Sequence, residues 1–244
     1  MRRGIVIADT HLLSPEDEHP AYTLVKRFAS DFKPDFVVHI GDALDLPYLG
    51  PYCEDDIMVQ AQGCWEDDVS LLNRELDFWQ KLTPEFYFIQ GNHDERTERA
   101  AKSAPKFAAS LAYERRFDFK GRGIKYYRLV DDPLKLGKLF LIHGWYWNKY
   151  HARKTVDEFS GNIVYGHVHK FQTQSRVLTA RKDEIQAWSI GCLCDKQPEY
   201  VKGRPTGWQH GFAILYLGEK GQFNLYPANI TKGSFMFEGG EYGI

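Results

Sequence analysis

The stretch FYFIQGNHDE, residues 86–95, joins a run of aromatic and aliphatic residues to a turn of glycine and polar side chains. Residues 86–90 have the composition of a buried strand, because aromatic and β-branched residues favour a pleated, packed surface. Gly91 follows at once, and the carboxamide of Asn92 then stands beside the titratable imidazole of His93. This stretch therefore predicts a polar site at the end of a buried strand.

Four further segments repeat this arrangement along the chain. They read Asp9-Thr10-His11, Gly41-Asp42, His143-Gly144 and Gly166-His167-Val168-His169. Asp9 and His11 are two residues apart, so in extended chain their side chains leave on the same side and can reach one ion. His167 and His169 repeat that spacing. Asp42 ends an apolar run, where a carboxylate is costly unless a cation or hydrogen-bond donors lie nearby.

The N-terminal half alternates strand and helix patterns. Residues 4–8, 36–40 and 86–90 read as strands, and residues 20–32 and 65–82 carry apolar side chains at helical spacing. This order predicts parallel strands, and ligands of such sheets gather beyond the carboxyl ends of the strands. The polar segments fall at those ends.

Beyond residue 115 the helix pattern thins and short strands dominate. The predicted strands are 124–129, 139–142, 163–165, 171–178, 185–190, 212–217 and 223–228, with one helix at 149–159. Two packed sheets flanked by helices account for this pattern better than one sheet. No repeat or linker divides the chain, so we expect a single domain over residues 1–244. Within it, the acidic segment 45–66 reads as an insertion that forms a lid or rim over the site.

Composition places few limits on function. Hydrophobic residues make up 43% and charged residues 26% of the 244 residues, as in ordinary soluble globular proteins, and the net charge of -2 gives no global attraction to nucleic acid or membranes. No apolar run could serve as a signal-peptide core or cross a bilayer, so we expect a cytoplasmic protein without membrane contact. In that compartment the cysteines, which form no CxxC pair, read as reduced thiols, with a structural metal or redox role as the alternative. They are Cys53, Cys64, Cys192 and Cys194.

The five segments together resemble the calcineurin-like metallophosphoesterase superfamily. Its pattern runs Asp-x-His, Gly-Asp, Gly-Asn-His-(Asp/Glu), His and Gly-His-x-His, and every element is present between residues 9 and 169. The resemblance implies an α/β (α+β) fold, a four-layer αββα sandwich of two mixed β-sheets flanked by helices.

The resemblance also implies a centre of two divalent ions. Carboxylate, imidazole and carboxamide ligands suit borderline ions, and we take Mn first, with Fe, Ni, Zn or Co as alternatives. Asp42 would bridge both ions. The other implied ligands are Asp9, His11 and His169 for one ion, and Asn92, His143 and His167 for the other.

The same resemblance implies a mechanism. Water or hydroxide shared between the ions attacks phosphorus, and His93 donates a proton to the leaving oxygen or stabilises it. Asp94 would orient His93 or hold its proton. From the residues alone, Asp94 is equally an N-cap for a helix that starts near Glu95.

Three functions follow, in order of preference. The first is a phosphodiesterase acting on nucleotides or nucleic-acid ends. The second is a phosphomonoesterase, either a nucleotide or a protein phosphatase; against a protein phosphatase, no arginine follows Gly41-Asp42 closely, and Asp94 stands where that class has glutamate. The third is a non-catalytic metal-binding scaffold, which the retention of His93 and all seven ligand positions disfavours.

Residues near the segments suggest how a phosphoester substrate is bound. Arg96 stands two positions past Asp94 and is placed to reach a substrate phosphate. Trp145 and Trp147 can stack a nucleobase, or alternatively anchor the following helix. Ten lysines and arginines between residues 96 and 128 either track a phosphate backbone or form a solvated helix face. The oligomeric state is left open.

Overall fold

Thirteen strands and seven α-helices account for most of the residues that the computed structural model describes, which are 1–14, 18–51, 55–198 and 201–244. The strands are β1 (Arg2–Ile7), β2 (Phe36–His39), β3 (Phe86–Ile89), β4 (Lys125–Tyr127), β5 (Leu134–Leu136), β6 (Leu139–Ile142), β7 (Asn162–Tyr165), β8 (Phe171–Leu178), β9 (Asp183–Ile190), β10 (His210–Leu217), β11 (Phe223–Ile230), β12 (Ser234–Phe237) and β13 (Gly240–Gly243). The helices are α1 (Pro20–Phe32), α2 (Ile57–Gln62), α3 (Trp65–Leu82), α4 (Arg96–Ser103), α5 (Ala108–Leu111), α6 (Tyr113–Arg116) and α7 (His151–Phe159). Short 3₁₀ turns occur at Pro47–Leu49, Pro105–Phe107 and Thr179–Arg181.

The strands form two mixed sheets and one hairpin. The first sheet has the order β11-β10-β1-β2-β3-β4, in which β1 to β4 are parallel and β10 and β11 run antiparallel. The second has the order β5-β6-β7-β9-β8, with β6, β7 and β9 parallel and an antiparallel strand at each edge. Strands β12 and β13 pair with each other in a separate two-stranded hairpin. The predicted pair of mixed sheets is confirmed.

Side-chain alternation along the strands builds four layers. In β1, Ile5 and Ile7 pack with residues of α1 and α3, whereas Val6 faces the second sheet. In β7, Val164 joins the same inter-sheet core, whereas Ile163 packs with residues of α7 on the outer side. Strands buried on both faces need apolar residues throughout, which explains their continuous apolar runs. The layers are therefore helices, sheet, sheet and helix, as predicted.

Helix α1 shows how local signals set a boundary. Pro20 occupies its first turn, and the ring Nδ1 of His19 accepts a hydrogen bond from the amide of Ala21. Its buried face carries Phe28, which packs against two rings of the β12–β13 hairpin. The ring centroid of Phe28 lies 5.2 Å from that of Phe235 and 4.9 Å from that of Tyr242. The hairpin thus packs on the aromatic side of α1, beside Phe212 of β10, whose ring centroid lies 5.5 Å from that of Phe28.

Helices α1 and α3 and strands β6 and β8 begin and end at the predicted residues. Helix α7 begins two residues later than predicted, and most other predicted strands differ by one or two residues at an end. Strands β5, β12 and β13 and the short helices α2, α5 and α6 were not predicted. These elements are only three to six residues long, too short for a pattern to stand out. Helix α4 begins at Arg96, close to the helix start near Glu95 that the N-cap alternative for Asp94 assumed. In the described parts of the chain, no helix has the length and apolar character needed to cross a membrane.

Candidate metal centre

The five polar segments lie directly after β1, β2, β3, β6 and β7, at one edge of the two packed sheets. Contacts there join the sheets side chain to side chain. Asn92 Oδ1 lies 2.9 Å from His143 Nε2, and His11 Nε2 lies 3.1 Å from His169 Nε2. Parallel strands bring their carboxyl ends together, and here two sheets do so at the same place.

Asp42 belongs to two clusters of metal-ligating atoms. One ligand atom each from Asp9, His11 and Asp42 lie within 4.8 Å of one another, and so do those of Asp42, His143 and His167. A carboxylate common to two clusters is what a bridging ligand requires. With the two contacts of Asn92 and His169 described above, the structure brings all seven predicted ligands together; that they bind metal stays a prediction.

When the imidazoles of His11 and His143 are neutral, their hydrogen bonds place the lone pair of each Nε2 opposite other hydrogen-bond acceptors. His11 Nδ1 donates to Asp45 Oδ1 at 2.9 Å, so in the neutral ring its Nε2 turns a lone pair towards His169. His143 Nδ1 donates to the carbonyl of Ile40 at 2.9 Å, so in the neutral ring its Nε2 turns a lone pair towards Asp42 Oδ2 at 3.3 Å. Converging acceptors need a proton or a metal cation between them. The donor set therefore fits divalent ions.

The electrostatics of the cluster agree with that conclusion. Burial opposes the charge on Asp42, but the imidazoles of His143 and His93 hold the pKa of this carboxyl well below its usual range. Burial likewise opposes charge on His143, yet the facing Asp42 carboxylate raises the pKa of His143 to about 9. Burial and the nearby His143 lower the pKa of His167 to about 4. Without metal, a proton on His143 supplies the cation that Asp42 attracts.

Five of the seven predicted ligands have left-handed backbone. Their φ angles are 52° for Asp9, 41° for His11, 53° for Asp42, 68° for His167 and 59° for His169. Each such residue costs about 1–3 kcal/mol and persists only where its surroundings enforce it. Here the amide of His167 donates to both carboxylate oxygens of Asp9, at 2.9 and 3.1 Å, and the amide of Asp9 donates to Gly41 O at 3.0 Å. Strain of this kind concentrates at functional sites.

Two glycines let the loops approach closely. A Cβ at Gly91 would lie 2.1 Å from Asp42 Oδ1, and a Cβ at Gly166 would lie 2.4 Å from Asp9 Oδ2. Both distances are far below any normal contact. The absence of a side chain at Gly166 therefore makes room for the carboxylate of Asp9.

Asp94 is a fully buried clamp between two loops. Its carboxylate accepts hydrogen bonds from the amides of Gly91 at 2.8 Å, Asp42 at 2.9 Å and Ala43 at 3.2 Å, and from the hydroxyl of Tyr113 at 2.8 Å. Burial, and then the charge of Asp42, raises the pKa of Asp94. This clamp fixes the turn that carries Asp42 to the turn that carries Asn92.

Asp94 does not orient His93, contrary to the sequence prediction. Both of its oxygens are taken by the donors of the clamp. It is not an N-cap either, because α4 begins at Arg96 and Glu95 precedes it. The physical reason is direction: an aspartate immediately after His93 points its side chain into the protein, while the imidazole faces the rim of the site.

Asp45 is the carboxylate that contacts His93. His93 Nδ1 lies 2.7 Å from the backbone carbonyl of Asp45 and 3.0 Å from Asp45 Oδ1, the same oxygen that accepts from His11. Burial opposes its charge, but the hydrogen bonds from His11 and His93 hold the pKa of Asp45 well below its usual range. In the sequence, Asp45 stands out only as the first residue of the acidic segment 45–66. The available signal was its position three residues after Asp42 in the same turn.

Arg96 is bound inward rather than stretched towards solvent. Its Nη1 donates to the carbonyls of Asp45 at 2.8 Å and Leu46 at 3.1 Å, and its Nη2 lies 2.9 Å from His93 Nε2. Arg96 thus holds the start of the 45–66 segment against His93. Its predicted contact with a substrate phosphate stays a prediction.

The two predicted tryptophans have different surroundings. Trp147 is 77% exposed, and its ring centroid lies 6.1 Å from that of His167. Trp145 is 41% exposed and packs its ring against Phe159 of α7 at 5.8 Å. Trp147 therefore offers an open face beside the cluster, whereas Trp145 fits the alternative of a helix anchor.

At least five of the ten cationic residues between 96 and 128 are paired with carboxylates of described residues. This pairing favours a solvated surface over a track for a long phosphate backbone. The pairs are Arg99–Glu95, Arg116–Glu66, Arg122–Asp77, Lys125–Glu85 and Arg128–Glu98.

The 45–66 segment is buried at its start, where Asp45 is 6% and Leu46 0% exposed, and exposed in α2. Residues 52–54 of this predicted lid or rim lie outside the described residues. Whether the segment covers the site stays a prediction.

Comparison with known proteins identifies the family. A family model described as calcineurin-like phosphoesterase matches residues 3–171, which include all five polar segments. The chain belongs to the calcineurin-like phosphoesterase family. The site described above therefore lies in a calcineurin-like phosphoesterase domain, at the positions that carry the family pattern.

Similar proteins span the whole chain. The Gene 54 protein of Mycobacterium phage L5 is 26% identical over 258 residues, covering 98% of this chain and 97% of that protein, and the Gene 54 protein of Mycobacterium phage D29 gives the same figures. Among solved structures, a single mutant of Vps29 from Entamoeba histolytica superposes with a TM-score of 0.51 at 14% identity, covering 96% of both chains. At that identity the similarity shows the fold alone.

Proposed function

We propose that this calcineurin-like phosphoesterase is a dinuclear metal-dependent hydrolase that cleaves phosphodiester bonds of nucleotides or nucleic-acid ends. The observation that carries the proposal is the position of Asp42, whose carboxylate belongs to both clusters of ligand atoms. A carboxylate shared in this way supports two adjacent ions, and such pairs are the usual centre for in-line displacement at phosphorus.

The ligand assignment follows the two clusters. Asp9, His11 and His169 would hold one ion. Asn92 from the turn after β3, with His143 and His167 from the second sheet, would hold the other. Asp42 would bind both ions. When bound, two divalent ions lower the pKa of water held between them and neutralise charge on the phosphoryl oxygens. The buried hydrogen bonds to Ile40 and Asp45 fix the imidazoles so that their lone pairs point inward.

His93 is proposed to protonate the leaving oxygen. Its Nδ1 hydrogen is fixed on the carbonyl and carboxylate of Asp45, so only Nε2 can face the substrate. Nε2 now lies against Arg96 Nη2 at 2.9 Å. A substrate phosphate that accepts hydrogen bonds from Arg96 would draw the guanidinium away, so that Nε2 could take up a proton from solvent and pass it to the leaving oxygen. Asp45 would stabilise the charged ring, as a buried carboxylate does in other acid–base pairs.

Trp147 favours a substrate that carries a base. Its exposed ring stands beside His167, and stacking of a nucleobase on such a ring contributes about 1–3 kcal/mol. The paired cations of residues 96–128 do not favour a long duplex, which agrees with nucleotides or nucleic-acid ends as substrates. A cytoplasmic location and the absence of membrane partners stay predictions.

A phosphomonoesterase is the second candidate, because the same centre can cleave either ester. The two are separated by measuring the hydrolysis of bis-p-nitrophenyl phosphate against p-nitrophenyl phosphate with Mn²⁺ or Ni²⁺ supplied. We expect a higher kcat/KM for the diester. A marked preference for the monoester would reverse the order of the two functions.

A pair of variants separates an enzyme from a metal-binding scaffold. His93→Ala should keep the metal content of the wild type and lower diester hydrolysis by about 10²-fold or more, the range for loss of general-acid help. Asp42→Asn is the matched comparison and should lose at least one ion. Full metal content with no turnover in the wild type would support the scaffold, and unchanged turnover in His93→Ala would remove His93 from the mechanism.

A further inference from the structure

Cys194 lies in a segment that is hydrogen-bonded to the loop that carries Asp9 and His11. The segment follows β9, and the amide of Leu193 donates to the carbonyl of Asp9 at 3.0 Å. Cys192 exchanges backbone hydrogen bonds with Gln209 and Gly211, both at 3.0 Å. His210 Nε2 donates to the carbonyl of Cys194 at 2.9 Å. These bonds fix the position of the Cys194 side chain relative to Asp9.

The thiol of Cys194 completes a third cluster of ligand atoms. Its Sγ and one ring nitrogen each of His11 and His169 lie within 4.8 Å of one another. Cys194 is 5% exposed, and the two imidazole side chains are 7% exposed each. The neighbouring Cys192 lies outside this cluster: its Sγ donates to the carbonyl of Gln209 at 3.6 Å and is within hydrogen-bonding reach of the Cys194 thiol.

A second observation at the same place concerns His169. Its Nδ1 is buried, and among the residues that the structure describes it has no hydrogen-bond partner. Its Nε2 meets the His11 nitrogen at 3.1 Å and Asp9 Oδ1 at 3.5 Å. In the described part of the chain, the imidazole therefore contacts acceptors of the cluster and the Trp208 ring, whose centroid lies 4.2 Å away, as expected for a side chain whose main partner is an ion.

We propose that Cys194 supplies a thiolate ligand to the ion held by Asp9, His11 and His169, and that this position therefore takes Zn²⁺ in preference to Mn²⁺. Thiolates favour Zn²⁺ over Mn²⁺, which prefers oxygen ligands. On binding, the sulfur–metal bond replaces the S–H bond, and the proton passes to solvent. The inference rests on the proposed metal centre and changes its metal preference, for which the sequence alone favoured Mn.

Cobalt is the probe that tests this ligand without using activity. Titration of the full chain with Co²⁺ gives weak visible bands that report occupancy, and a near-ultraviolet thiolate-to-cobalt band that reports sulfur ligation. We expect both in the wild type. Cys194→Ser should keep the visible bands and lose the charge-transfer band. Cys192→Ser changes a side chain that contacts Cys194 but lies outside the cluster of ligand atoms, and serine keeps a hydrogen-bonding group there, so this variant should keep both.

A competition between Zn²⁺ and Mn²⁺ tests the preference itself. The ratio of the two affinities should fall by at least about tenfold in Cys194→Ser, since even residues that only support a ligand change metal affinity by about 10–100-fold. An unchanged ratio, or a charge-transfer band that survives in Cys194→Ser, would overturn the assignment of Cys194.

The outcomes keep this inference separate from the proposed function. If the wild type binds Co²⁺ without a charge-transfer band, Cys194 is not a ligand and the proposed metal centre still stands. If the wild type binds no Co²⁺, both proposals are overturned. If Cys194→Ser fails to fold, the ligand can be identified in a variant in which Cys53, Cys64 and Cys192 are replaced by serine, so that Cys194 is the remaining cysteine. X-ray absorption spectroscopy of this variant loaded with Zn²⁺ then shows whether sulfur binds the metal. A sulfur neighbour at about 2.3 Å supports the ligand, and a shell of nitrogen and oxygen alone overturns it.

Discussion

Gly91 is the position where a single added methyl group should disturb the metal centre most. A Cβ there would lie 2.1 Å from Asp42 Oδ1 and 2.2 Å from the amide nitrogen of Asp42, whereas ordinary contacts begin at 3.4 Å. Neither atom can move freely, because Oδ1 accepts from the His93 amide at 2.7 Å and the Asp42 amide donates to Asp94 at 2.9 Å. Gly91→Ala must therefore displace the carboxylate that both clusters share.

The size of the effect follows from that displacement. A shift of about 1 Å at a reacting centre costs about 10²-fold in rate, and overpacking of a closely packed region lowers the free energy of unfolding by about 1–3 kcal/mol. We expect Gly91→Ala to bind fewer than two ions per chain and to hydrolyse bis-p-nitrophenyl phosphate about 10²-fold more slowly. Elemental analysis, steady-state kinetics and urea unfolding measure the three quantities.

Gly240→Ala is the matched control. A Cβ at Gly240 would find its nearest atom, Phe237 O, at 3.5 Å, so this variant should keep the metal content and rate of the wild type. A Gly91→Ala protein with two ions and an unchanged rate would refute the placement of Asp42 at the centre of the site.

Three further predictions test other parts of the account. Asp45→Asn should weaken metal binding by about 10–100-fold, because His11 loses the carboxylate that orients it; calorimetric titration that gives wild-type affinity would contradict this. Burial lowers the pKa of His39 from 6.5 to about 3, so the metal-free protein should lose stability as the pH falls from 6.5 towards 3, since the unfolded chain then binds a proton that the folded protein does not. The free energy of unfolding can be measured in urea with chelator at several pH values. His39→Gln should reduce its fall by up to about 1.4 kcal/mol per pH unit, and an unchanged dependence of this free energy on pH would exclude His39 as a cause. Trp147→Ala should raise KM for a dinucleotide by about fivefold or more at constant kcat, through loss of 1–3 kcal/mol of stacking; an equal KM would show that no base stacks there.

The parts of the fold that sequence predicts are those with strong local patterns. Helices α1 and α3 are long and amphipathic, so their apolar spacing defines both ends. The central strands are buried on both faces, so they stand out as apolar runs. The β12–β13 hairpin lacks such a pattern, because its stability comes from rings that meet Phe28, some 200 residues earlier in the chain.

The site was predictable in its residues and not in its geometry. The spacing of Asp9 and His11, and of His167 and His169, is visible in the sequence, and so is the turn that carries Asn92. The left-handed backbone of four of these residues is not, since it depends on hydrogen bonds between distant loops. For the same reason Asp45, and not the adjacent Asp94, contacts His93: tertiary structure decides which way each side chain points.

The cysteines show the same limit. Spacing alone gave Cys192 and Cys194 one common role as reduced thiols, because two cysteines so close in sequence form no ordinary disulfide. In the folded chain the two thiols contact each other, but the Sγ of Cys192 is hydrogen-bonded to a carbonyl, whereas that of Cys194 also lies beside the imidazoles of His11 and His169. Only the packing of the segment against Asp9 distinguishes them.

The central claim is that seven side chains from distant loops hold two adjacent cations. Anomalous X-ray diffraction from crystals grown with Mn²⁺ or Zn²⁺ tests it most directly. The account predicts two peaks about 3.5–4 Å apart, one beside Asp9 and His169 and the other beside Asn92 and His143, with Asp42 between them. A fully occupied metal elsewhere on the chain, with no peak between these residues, would contradict it.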